Sequence, residues 1–180
     1  MMDKILLFFL KPSEETKYYI SNVLDPVKFE KINSNLFLLE VNDIEIAEEA
    51  IKAASQEFYI DVSCYIVEAN IPEKLYVYIS KFLKEKQNGV FRLSDIIEDN
   101  VLKNNEEFKN EFKKYFSSKL SNEVIDTALA FIRIGNSIAA SKELFIHRNT
   151  LNYRIETVKK VTSLDLKYFK DQLAFYGLFH

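Results

Sequence analysis

The sequence predicts an α+β protein: a leading half in the order β-α-β-β-α-β, then an all-helical half that contains two short, closely joined helices. Three observations carry this. Four apolar runs of strand length fall before residue 68, and two of the intervals between them repeat hydrophobes at helical spacing. Past residue 93 the helical spacing takes over. Glycine and proline number only three each, so long flexible linkers are absent and the punctuation must come from Asn, Ser and Asp.

In order, residues 5–10 are apolar without alternation, as a central strand requires. Lys11-Pro12 stops the run. Ser13 suits the cap of a helix through about residue 24, with Thr16, Ile20, Val23 and Leu24 on one side. Residues 27–33 and 36–41 read as strands joined through Ser34-Asn35, a hairpin. Asn42 or Asp43 caps a second helix with Ile44, Ala47, Ile51, Ala54 and Phe58 in register. Residues 59–67 return as a strand in which Ile60, Val62, Cys64 and Ile66 alternate with Asp61, Ser63 and Tyr65. This order is the ferredoxin-like arrangement, four antiparallel strands with two helices on one face. Pro72 begins a third helix, aligned by Leu75, Ile79, Phe82 and Leu83 and ended near Asn88-Gly89; residues 90–93 add a short strand. Phe108, Phe112, Tyr115 and Phe116 mark one later helix, and Val124, Ile125, Ala128, Leu129 and Ile132 the next. The polar stretch 103–107 is the expected hinge, dividing an α/β domain (1–103) from a helical domain (104–180).

Composition narrows the function. A 48% hydrophobic content with 14% aromatics supplies real cores, and three glycines exclude Gly-rich phosphate loops. The lone Cys64 excludes an intramolecular disulfide and a cysteine zinc set, which fits a reducing cytoplasm; its alternation with apolar residues reads as a small buried hydrophobe. The six-residue run at the start is too short for a secretion signal, and no run approaches bilayer length, so neither export nor membrane insertion is expected. No acid–base pair stands out among the carboxylates, and His147 and His180 have no sequence partners for metal or catalysis. The chain is therefore expected to be no enzyme and to need no cofactor. Net charge is −3, but residues 1–120 hold 16 Lys and Arg against 21 Asp and Glu, while 121–180 hold 8 against 6. The basic end is the helical one, and its small excess calls for two linked copies to grip a polyanion.

That end holds the candidate site. Leu151, Ile155 and Val158 form one apolar stripe, while Asn149, Asn152, Tyr153, Glu156 and Lys160 lie opposite and Arg148, Arg154 and Lys159 flank. Residues 137–144 read as a shorter helix after the reversal at Gly135-Asn136, and Phe145-Ile146 is a tight connection. Two helices so joined make a helix-turn-helix, whose second helix lies in the DNA major groove with its first turn at base edges. Arg148, Asn149 and Thr150 occupy that turn; Arg suits guanine O6 and N7, and Asn suits adenine. Asn and Thr also favour helix starts for ordinary reasons. Asn136 and Ser137 serve either as plain caps or as phosphate contacts. His147 starts the reading helix and grazes DNA, Asn152 and Tyr153 continue the outer face, and Arg154 either reads a base or makes a phosphate contact or an internal ion pair.

The run Gly135-Asn136-Ser137-Ile138-Ala139-Ala140, with Leu144-Phe145-Ile146-His147-Arg148-Asn149-Thr150-Leu151 and Tyr153-Arg154, resembles the C-terminal helix-turn-helix of the PucR and CdaR families of bacterial transcription regulators. Thr162-Ser163-Leu164-Asp165-Leu166 and Asp171-Gln172-Leu173 fall where that family has Thr-Gly-Leu-Asp-Leu and Asp-x-Leu, with Ser163 replacing Gly. Residues 89–96 are similar to the segment ahead of the family's helix-turn-helix, so the resemblance spans roughly residues 89–180. It implies double-stranded DNA as partner. Larger members often carry a degenerate relative of the GGDEF cyclase domain on the same β-α-β-β-α-β core. Here the hairpin, Asn33-Ser34-Asn35, lacks the glycines and acidic residues an active cyclase uses there, so ligand binding or dimer formation is expected of that half instead. The chain is shorter than most members, and a separate sensory domain is expected to be missing.

The expected function is a cytoplasmic, homodimeric, sequence-specific regulator reading the major groove with residues 147–161, with room for an unknown small-molecule effector. The alternative is a protein-interaction or ligand-sensing module whose helix-turn-helix does not bind DNA. Tyr168, Phe169, Phe175, Tyr176 and Phe179 surround most of a last helix, which points to a partner surface there, or along 106–116, or to a core shared with the other half.

Overall fold

Strand β1 (Asp3–Phe9) is hydrogen-bonded on both edges, which explains why its run is apolar without alternation. β3 (Leu36–Val41) lies antiparallel on one side, with Leu6 opposite Leu38; β4 (Val62–Ile66) lies antiparallel on the other, with Leu6 opposite Tyr65. β2 (Lys28–Lys31) pairs outside β3, and β5 (Gly89–Phe91) pairs parallel to β4, giving the order β2-β3-β1-β4-β5. This computed structural model describes residues 3–57, 61–68 and 71–180. Phe58, Tyr59 and Ile60 of the expected helix and strand lie outside the described residues.

Helix α1 (Glu14–Val23) starts at the expected Ser13 in a capping box with Thr16, and α2 (Ile44–Glu57) starts at Asp43, whose Oδ1 accepts from the N–H groups of Glu45 and Ile46. Both cover one sheet face. Ile5, Leu7, Phe9, Leu39, Val41, Cys64 and Ile66 meet Ile20, Ala47, Ile51 and Ala54 there. The other face is also dry, since Leu6, Phe8, Ser63 and Tyr65 are buried, and α3 (Tyr76–Lys86) packs against β1 and β4.

The four expected antiparallel strands are present, and the short strand expected after α3 joins them as a fifth, because α3 carries the chain back across the sheet and returns it beside β4 in the same direction, as a strand–helix–strand crossover must. Pro72 opens a 3-10 turn (Glu73–Leu75) before α3, and the added strand ends at Phe91, because Leu93 already starts α4 (Leu93–Leu102).

The contacts divide the chain into Met1–Leu93 and Ser94–His180, ten residues ahead of the polar stretch 103–107. α4 thus sits with the helical half: Asp95 pairs with Lys170, and a Cβ at Gly177 would meet Val101 Cγ1 at 2.7 Å. Asn105 in that polar stretch caps α5 (Glu106–Ser117) and donates to Asn100 Oδ1 at 2.7 Å. Phe108, Phe112 and Phe116 of α5 are fully buried. α6 (Asn122–Ile134), α7 (Ser137–Glu143), α8 (Arg148–Thr162) and α9 (Phe169–Phe179) complete this unit. Phe175 and Phe179 are buried within it, which leaves Tyr168 and Phe169 as the exposed aromatics at the start of α9.

Candidate nucleic-acid interface

Helices α6, α7 and α8 pack against one another in pairs. Gly135 closes α6 in the left-handed region at φ 71°, where a side chain would be strained, and the reversal lets Asn136 cap α7. Asn136 Oδ1 accepts from the N–H groups of Ile138 and Ala139 at 2.9 and 3.1 Å. The turn after α7 is tight, with the Ile146 N–H donating to Ser141 O at 3.0 Å and Phe145 at φ 52°. His147 is the N-cap of α8; its Nδ1 accepts from the Asn149 N–H at 3.2 Å. Helix α8 therefore runs one residue later at both ends than the helix expected over 147–161.

On α8 the expected division holds. Leu151, Ile155 and Val158 are buried, joined by Thr162. Arg148, Asn149, Thr150, Asn152 and Tyr153 are exposed, and their side chains make no hydrogen bond or ion pair among the described residues. Arg154 differs. Its Nη2 bonds Glu123 Oε2 at 2.5 Å and its Nη1 donates to Thr127 Oγ1 at 3.0 Å, so its guanidinium ties α8 to α6. Of the three roles expected for Arg154, base reading, a phosphate contact or an internal ion pair, the structure displays the internal ion pair.

An open cleft of about 550 Å³ brings the two stretches of candidate residues together, lined by Asn136, Ser137, Arg148, Leu151 and Asn152. Glu156 and Lys167, 3.5 Å apart, line the same cleft. At the far end of α8 the Lys159 ammonium donates to Asp165 Oδ2 at 2.8 Å. That bond raises the Lys159 pKa and holds the Asp165 carboxyl below its usual range. Ser163 ends the helix at φ 61°, in the left-handed region that glycine favours.

Sequence reasoning missed Phe145 as a surface feature; it is 97% exposed, although an aromatic in a turn reads as a core residue. It also missed Glu123 and Thr127, because nothing in their local spacing shows which helix will face them. Cys64 is fully buried, and burial pushes its thiol pKa far up, which leaves it a packing residue. No helix among the described residues is long and apolar enough to cross a membrane.

Three packed helices joined by a tight turn, the third buried along one stripe and open along the other, define a helix-turn-helix domain. Residues 124–177 match the PucR C-terminal helix-turn-helix domain, so this part of the chain is similar to regulators of the PucR/CdaR type. It is 54% identical over 39 residues to the carbohydrate diacid regulator of Escherichia coli (strain K12), which covers 22% of this chain and 10% of that protein. It is 26% identical over 178 residues to the proline-responsive transcriptional activator PutR of Bacillus subtilis (strain 168), covering 91% of this chain and 38% of that protein. The chain thus spans well under half the length of these curated relatives. The fold is similar to that of a regulator of polyketide synthase expression from Bifidobacterium adolescentis, with a TM-score of 0.53, 14% identity, and coverage of 98% of this chain and 78% of that one.

Proposed function

We propose that the protein is a cytoplasmic transcription regulator that binds double-stranded DNA sequence-specifically as a homodimer, with α8 in the major groove. The observation that carries this is the division of α8: one stripe is buried on α6 and α7, while five polar or aromatic residues of its first two turns stand exposed with no internal partner among the described residues. A helix held on one side and unsatisfied on the other suits a groove lined with hydrogen-bonding groups.

In this reading Arg148 and Asn149, in the first turn, meet base edges, and Thr150 stands beside them. Asn152 and Tyr153 extend the contact along the groove, Asn136 and Ser137 lie at the phosphate backbone, and His147 holds the first turn in shape. Arg154 positions α8 and reads no base. Two copies are required because residues 121–180 carry only two positive charges in excess, too few for a tight monomeric grip. Half-sites then lie about 34–36 Å apart, or the DNA bends to another spacing.

The test is binding to genomic DNA fragments over a range of salt concentrations. Site-selective complexes that weaken steeply with salt support the reading. No complex even at low salt overturns it, in favour of a protein-interaction or ligand-sensing module.

A further inference from the structure

Strand β2 ends the sheet at one edge, and all four of its residues are exposed. Its backbone is half used. The Ile32 N–H donates to Leu36 O at 3.0 Å, so by antiparallel alternation residues 28, 30 and 32 turn their N–H and C=O groups toward β3, while Phe29 and Lys31 turn theirs outward. The Phe29 side chain is on the α1 face, since Phe29 lies opposite Leu39 of that core. Its ring stacks on Phe37 at 5.2 Å yet is 44% exposed. Beside it Tyr18, Val23 and Val27 are exposed too, and Tyr18, Val23, Pro26 and Phe29 line an open cleft of about 1150 Å³. An edge of unpaired backbone flanked by exposed apolar side chains is a template for another strand.

We propose that this edge takes a second copy of the same strand, making a two-fold dimer with one sheet continuous across both protomers. The identity of the occupant comes from self-complementarity. With the two-fold axis at Phe29, that residue faces its own copy and the two exchange both of their outward backbone hydrogen bonds. Lys28 then faces the partner's Glu30 and Glu30 faces the partner's Lys28, on the sheet face opposite the apolar cleft. Within one protomer these side chains already pair at 3.2 Å, so the exchange sets two opposite charges across the seam. Neighbouring registers fail. An axis at Glu30 also uses outward backbone groups, those of Phe29 and Lys31, but sets Glu30 against Glu30, and an axis between Phe29 and Glu30 would need the Glu30 backbone groups already bonded to β3. Only the Phe29 register satisfies backbone and charge together. In it Phe29, Val23 and Tyr18 of the two copies approach across the axis and cover one another, an isologous contact that closes without further growth.

This dimer would supply the pairing that the proposed function requires, and it is tested without DNA. Sedimentation velocity of the full chain at micromolar concentration should give a dimer. Lys28→Glu alone sets two Glu–Glu pairs across the seam and Glu30→Lys alone sets two Lys–Lys pairs; each should raise the dimer dissociation constant by about tenfold or more. The double exchange, Lys28→Glu with Glu30→Lys, should restore it. Phe29→Asp should give a monomer, with circular dichroism unchanged because the residue is at the sheet edge. A monomeric wild type, or single reversals that leave the dimer at wild-type strength, overturns the proposal. A dimer that behaves as described but fails to bind DNA fragments would instead retire the DNA reading and leave this interface standing.

Discussion

Arg148→Ala separates reading from folding. Arg148 is exposed in the first turn of α8 and has no internal partner among the described residues, so its removal should change folding stability by no more than about 0.5 kcal/mol. In a groove, its planar fork would make two hydrogen bonds to one guanine, a contact worth about 1–3 kcal/mol. A dimer has two such contacts, which makes about 2–6 kcal/mol, or at least roughly a thirtyfold rise in Kd. Base preference should relax at one position of each half-site and stay intact elsewhere. The control is three residues along the same helix. Leu151 is 1% exposed, so Leu151→Ala should destabilise the helical unit by about 2–5 kcal/mol, a fall in Tm of at least about 8 °C. The assay is fluorescence anisotropy on a duplex selected from random DNA by the wild type, beside thermal melting of each variant. If Arg148→Ala lowers the Tm as Leu151→Ala does, or leaves both affinity and base preference at wild-type values, α8 has been assigned the wrong role.

Arg154→Ala should lower stability while leaving base preference unchanged, and a double-mutant cycle with Glu123→Ala should return a coupling of about 0.2–1 kcal/mol, modest because Glu123 is largely exposed. Ser163→Gly should stabilise the helical unit by about 0.5–1 kcal/mol, seen as a raised urea midpoint, because it removes a side chain from left-handed backbone at the end of α8. The Lys159–Asp165 bond gives a pH dependence with a defined sign. The Asp165 carboxyl is depressed in the fold, so its contribution is complete above the ordinary carboxylate range and is lost as pH falls through its lower folded value. The Lys159 ammonium is raised, so its contribution is lost only as pH climbs past the ordinary lysine range. Melting temperatures of wild type and Asp165→Asn, measured from neutral to strongly acidic pH, should therefore converge on acidification; a constant gap would refute the assignment.

Much of this protein is determined locally and was legible in the sequence. Caps declare themselves because they need a short polar side chain in one place, so Ser13, Asp43 and Asn136 mark helix starts before any packing is known. The stripe of Leu151, Ile155 and Val158 is likewise a property of helical period alone, and it located the face of α8 that is buried and the face left open. Tertiary structure decided what depends on residues far apart in the chain. The fifth strand exists because α3 returns the chain beside β4, and a three-residue strand has too little period to announce its partner. The sequence left Arg154 open between DNA and an internal ion pair, and only the packing of α6 set Glu123 and Thr127 against it, 31 and 27 residues away. Phe145 shows the converse: an aromatic ring predicts burial by its chemistry, but the turn between α7 and α8 leaves it no surface to pack on. Period and capping act over a single helical turn, which a sequence displays; the partner of a charge, the neighbour of a strand and the exposure of a ring are set only when distant segments meet.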